Sequence, residues 1–332
     1  MRNQHLQLRQ LHQPLIRRIC LALLAVIWLA GCARTPFVAV DEGHLPRQAE
    51  LSEVPFFPQE EYQCGPAALA TMLNHRGLAS TPEGLVDRVY LPERQGSLQV
   101  EMVAAARAHG LLVYSLAPRM ETLLAEVAAG NPVLVLQNLA FNRWPQWHFA
   151  VVVGYDLDEQ IVILRSGTEA RRKEGFREFQ RAWFKGQRWA VLTVQPGQIP
   201  HSAELAPWLE AASDLEETGQ QMAAEQAYAA AVEHWDSGLA LFALANSQYQ
   251  RGDGSSAEQS LRDSLRVTPD FAPGWFNLSH LLAEGNCLDE AASARACAAR
   301  LSPQDSRFRT ELALPLTDEG AACRPLPACP VD

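Results

Sequence analysis

The chain is poor in positive charge. It has 28 lysines and arginines against 38 aspartates and glutamates, a net charge of −10 over 332 residues. Nucleic-acid binding rests on neutralising phosphates with Lys and Arg, so no nucleic-acid partner is expected. Long apolar runs are missing too: the run from Ile19 to Ala30 falls short of the roughly 20 residues that a membrane-crossing helix needs. Cysteine is sparse until late in the chain, where Cys287, Cys297, Cys323 and Cys329 gather. No histidine falls among those four at ligand spacing, so no metal is expected there, and no cofactor elsewhere. The length suffices for two domains.

Arg17 and Arg18 precede the apolar run, which closes on Leu29-Ala30-Gly31-Cys32. This ending resembles the lipobox of bacterial lipoproteins. The resemblance implies a signal peptide over 1–31, cleavage before Cys32, acylation of its thiol and a lipidated tether over 32–50. Ala33 stands where an aspartate would suggest inner-membrane retention, so the expected place is the outer membrane, facing the periplasm. Cleavage would remove four arginines and no acid, leaving 24 basic against 38 acidic side chains. In an oxidising compartment the four late cysteines read as two disulfides. A helix between Cys287 and Cys297 would hold them about 15 Å apart, too far to bond. Cys287 can then pair with Cys323 or with Cys329, and both connectivities remain open.

Residues 51–195 mix helices with later strands, the pattern of an α+β domain. Helices are expected at Cys64–Asn74, Val100–Ala108, Met120–Ala129 and around Phe176–Phe184. Strands are expected at Leu111–Leu116, Val133–Gln137, His148–Tyr155, Ile161–Leu164 and Trp189–Val194. Residues 196–203 read as a linker from their Pro and Gly content. Beyond it the chain repeats every 34 residues: Ala223, Ala257 and Ala291 share one register, Ala230, Ser264 and Ala298 another. Trp275-Phe276-Asn277-Leu278 and Asp289-Glu290-Ala291 resemble tetratricopeptide signatures of that period. This predicts three all-α repeats over 204–305, the first degenerate, with 306–332 as a capping tail. Such repeats leave a concave face for a protein partner or substrate.

The chemistry centres on Cys64, at the expected start of a helix. A thiol attacks as thiolate, and a helix N-terminus lowers its pKa through unpaired N–H groups and the dipole. Gly65 gives room for close approach, and Pro66 suits an early helical position. His148, 84 residues on, opens a nearly all-valine strand and is the candidate base. Gln59 is the preferred oxyanion donor and Gln63 the runner-up.

The blocks Pro58-Gln59 … Cys64-Gly65-Pro66-Ala67-Ala68-Leu69 and His148-Phe149-Ala150-Val151-Val152-Val153-Gly154-Tyr155-Asp156 resemble the double-glycine leader peptidase family. Its members are papain-like cysteine peptidases that process bacteriocin precursors and are usually fused to an export transporter. The likeness spans residues 51–195. It implies Cys64 as nucleophile, His148 as base and Gln59 as oxyanion donor. The layout of lipobox, peptidase domain and repeats resembles a stand-alone lipoprotein branch. The family's aspartate on the strand after the histidine is missing here. Arg165-Ser166-Gly167 occupies the position, Asp156 lies about 26 Å along the strand, and Ser166 is the stand-in. The expected activity is therefore cleavage of a peptide or protein by a membrane-tethered Cys–His enzyme. A peptidoglycan endopeptidase, an acyl transferase and an inactive scaffold are the alternatives.

Overall fold

The computed structural model describes residues 40, 43, 45–58, 63–310 and 323–330. Its first domain rests on one antiparallel sheet of strands β1 (Gln48–Glu50), β2 (Leu112–Ser115), β3 (Val133–Asn138), β4 (Trp147–Asp156), β5 (Ile161–Ser166), β6 (Glu169–Gly175) and β7 (Ala190–Val194). Their order is β2-β7-β3-β4-β5-β6. β3 stops beside Val152 of β4, and β1 takes up the pairing from Gly154 to Asp156. Gly154 is needed at that junction, because a Cβ there would lie 2.8 Å from the Ala49 carbonyl oxygen.

The central strands read as unbroken Val and Leu because both faces are covered. One face carries α1 (Cys64–His75), α2 (Pro82–Val89) and α3 (Gln99–Ala108). Leu69, Met72, Leu73 and Met102 pack there against Phe149, Val151 and Val153. The opposite face carries α4 (Met120–Ala128) and α5 (Phe176–Lys185), which enclose Val135, Ala150, Val152, Val162 and Leu164. Alternation along β4 therefore sends Phe149 toward α1, where the Cys64 end of that helix meets the start of the strand.

Six helices follow: α6 (Leu205–Glu217), α7 (Gln221–Trp235), α8 (Gly238–Gln250), α9 (Gly254–Val267), α10 (Ala272–Glu284) and α11 (Leu288–Leu301). They form three antiparallel pairs. Among the described residues no helix is long and apolar enough to cross a membrane.

Two expectations need correction. Residues 48–50 are not tether but β1, a strand too short to announce itself by alternation. Residues 196–203 do not act as a free linker. The fully buried Glu126 carboxylate accepts from both the Ser202 N–H and its hydroxyl, each at 2.6 Å. Tyr114 accepts from the Glu204 N–H at 3.0 Å. Trp208, Ala212 and Leu215 of α6 then join the core formed by Tyr114, Leu192 and Val194. Sheet and helical array share one apolar core.

The tail closes over the last helices. Cys287 is bonded to Cys323, and Cys297 to Cys329. Between these staples the buried Arg262 donates to the carbonyls of Arg324 and Pro325, at 3.1 and 2.7 Å. Both sulfurs of the cluster Cys287, Glu290 and Cys323 are consumed by the first disulfide, so it offers no thiolate for a metal.

Candidate active site

Helix α1 begins at Cys64 with no side-chain cap, and the N–H groups of Cys64 and Gly65 are left to the thiol itself. Residues Gly65 to Leu73 of α1 are buried, so the helix is wedged against the sheet with Cys64 at its end. Gly65 allows close approach there. A Cβ would fall 2.1 Å from the Ser97 hydroxyl oxygen, just ahead of α3.

Sheet hydrogen bonding decides what the thiol meets. In the β3–β4 register Phe149 faces Leu136, and Leu139 N–H donates to the Gln146 carbonyl. Antiparallel alternation then turns the Phe149 N–H away from β3, toward β5. Pairing of β4 with β5 starts only at Val151↔Arg165, so that N–H is left to the thiol, and Cys64 Sγ accepts from it. The nucleophile candidate thus lies one residue from His148.

His148 Nε2 sits 2.8 Å from Ser166 Oγ, across the β4–β5 hairpin. With Nε2–H donating to Ser166, Nδ1 keeps its lone pair and is the nitrogen able to take a proton. A register shift between Val152 and Gly154 helps bring Ser166 to this level. Asp156 is elsewhere: its carboxylate caps the turn N–H groups of Asp158 and Glu159 at 2.9 Å each.

Next to Ser166, the buried Arg165 guanidinium serves backbone carbonyls. It donates to Ser52 at 3.1 Å, Val54 at 3.0 Å and Leu51 at 3.5 Å, and also to Ala170. This clamp fixes the segment leading toward Gln59. Gln59 itself lies outside the described residues, as does Cys32. Gln63 is the N-cap of α1, and its carbonyl accepts from the Ala67 N–H. The Arg165 clamp was not anticipated. An arginine inside an apolar strand was the one available signal, since burial forces such a group to find acceptors.

The electrostatics depart from expectation. The helix terminus was expected to lower the Cys64 pKa, but burial pushes it up. Hydrogen bonds from the backbone of Phe149, Gly65 and Cys64 itself offset this only in part. Burial also lowers His148 to about 4, helped by the positive charge of Arg172. Thiol and imidazole are therefore both neutral at rest. Ser166 bonds the ring without supplying the charge that would stabilise an imidazolium.

These features sit within a recognisable sequence span. Residues 51–196 match the Peptidase_C39 like family. The matched span holds β2–β7 and α1–α5 but neither β1 nor the helical array. A crystal structure from Bacillus anthracis, described as a C39-like peptidase, is similar at 20% identity over 45% of this chain and 98% of that one, with a TM-score of 0.37. A likeness of that size says nothing about function. No curated protein matches the chain.

Proposed function

We propose that the protein is a cell-envelope cysteine peptidase, anchored through an acylated Cys32, that cleaves a peptide or protein substrate with Cys64 and His148. The observation that carries this is the approach of the Cys64 thiol to the backbone beside His148, within a domain matching the Peptidase_C39 like family. As Sγ attacks the scissile carbonyl, His148 takes the thiol proton and later gives it to the leaving amine. Water then hydrolyses the acyl-enzyme by the same base. Gln59 is assigned to the oxyanion, Ser166 to orienting the ring, and the helical array, read as tetratricopeptide repeats, to holding substrate or partner.

The neutral, carboxylate-free pair favours one rival reading, an inactive peptidase-like scaffold. Covalent labelling by the epoxide inhibitor E-64 separates the two. Labelling of Cys64 that drops sharply in His148→Ala supports the peptidase. Equal, slow labelling of both proteins supports the scaffold. Release of muropeptides from purified sacculi would redirect the same Cys–His pair to the cell wall.

A further inference from the structure

Among the described residues eleven large apolar side chains are exposed, and four of them fall within residues 139–147: Leu139, Phe141, Trp144 and Trp147. Their exposure runs from 41% to 76%. This is the β3–β4 hairpin loop, and it ends on the residue before His148. It is a built structure. The buried Asn138 side chain accepts from the N–H groups of Ala140 and Gln146, at 3.0 Å each. Phe141 and Trp144 form a bridge across the loop, and Lys185 of α5 donates to the Ala140 carbonyl at 2.7 Å. Phe184, 47% exposed and beside Lys185, extends the apolar surface.

Cations border this surface. Arg143 stacks 5.2 Å from the centre of the Trp144 ring, and Arg188 lies 5.3 Å from that of Phe184. Among the described residues neither they nor Lys185 forms an ion pair, although the chain as a whole is acidic. An aromatic ledge with unpaired cations fits an apolar segment that carries carboxylates.

Catalytic chemistry says which segment arrives there. The leaving amine must lie at the imidazole that protonates it, so the substrate residues following the scissile bond run out past His148. The geometry points to the hairpin 139–147 with Phe184 as the binding surface for that leaving segment. It would select aromatic or branched aliphatic residues followed by Asp or Glu. This rests on the Cys64–His148 reading above, and it identifies the half of the substrate that the enzyme grips.

The test uses the full chain with Cys64→Ala, which binds without turnover. The probe is a tetrapeptide with a free amino terminus, Leu-Phe-Glu-Asp, titrated against tryptophan fluorescence. Gly-Ser-Lys-Lys serves as the control. Preference for the acidic peptide, weakened about tenfold or more by Phe141→Ser with Trp144→Ser at unchanged melting temperature, is the expected result. Equal affinity of the two proteins, preference for the basic peptide, or no binding at millimolar concentration would overturn the assignment. So would binding of phosphatidylglycerol vesicles that needs Phe141 and Trp144 while the peptide does not bind; the ledge would then be a membrane face. His148-dependent E-64 labelling of Cys64 is scored separately. Labelling without peptide binding overturns the ledge alone, and peptide binding without labelling overturns the peptidase alone.

Discussion

Replacing Ser166 with Asp restores a carboxylate where the imidazole is held by a hydroxyl 2.8 Å away. His148 is depressed to about 4 by burial and by Arg172, and the Cys64 thiol sits above its ordinary value of 9.0. Moving the proton between them then spans about five pH units or more, on the order of 7 kcal/mol. A carboxylate about 4 Å from the ring, at an effective dielectric near 20, is worth roughly 4 kcal/mol, or about three units. That would carry His148 to about 7 and remove more than half of the gap. The readouts are the imidazole titration by NMR, assigned through His148→Ala, and the second-order rate of E-64 labelling at pH 7. Ser166→Asp should raise the rate by at least about tenfold. Ser166→Ala should lower it by up to about tenfold, the worth of one neutral hydrogen bond. An unmoved titration in Ser166→Asp, or wild-type labelling in Ser166→Ala, would refute the orienting role.

Three further outcomes follow from the same contacts. Unfolded His148 gains a proton as the pH falls through 6.5, while the folded protein resists until about 4. Stability present above pH 6.5 should therefore fall between those values by up to about 3 kcal/mol, and urea titrations of wild type and His148→Ala should diverge only in that window. Gly65→Ala forces a Cβ onto Ser97 and should cost about 1–3 kcal/mol. Ser97→Gly in the same chain should recover most of that loss, because the buried Ser97 hydroxyl has no partner among the described residues. Arg165→Met leaves the carbonyls of Leu51, Ser52, Val54 and Ala170 without their donor and should lower stability by about 3 kcal/mol in chemical denaturation.

Much of this layout is visible in the residues themselves. The helix at Cys64, the valine strand after His148 and the helix pairs, which start at Leu205, Gly238 and Ala272, follow from periodicity and punctuation. Ser166 beside His148 follows from counting round the hairpin. Other elements leave no such trace. β6, Glu-Ala-Arg-Arg-Lys-Glu-Gly, is an edge strand whose mostly exposed side chains carry no apolar alternation. β1 is three residues long. α2 has the punctuation of a helix, Thr81 as cap and Pro82 at its start, but no apolar stripe to mark it, because only Leu85 and Val89 among its large apolar residues are buried. The thiol's raised pKa depends on how deeply a tertiary contact hides Cys64, a quantity that local spacing does not carry. The fusion across 196–203 escapes for a similar reason: it is made by Glu126 and Tyr114, residues distant in the chain.

That fusion has a consequence for delivery. A flexible connector would let the helical array fish, raising the local concentration of a captured chain while leaving its approach to the thiol to chance. Trp208 buried against Tyr114 and Glu126 stapled to Ser202 make the array a bracket instead. On the proposed function, whatever the bracket grips would be offered to Cys64 at a set separation, and the cut would be set by distance from the gripped point as well as by the residues at the bond.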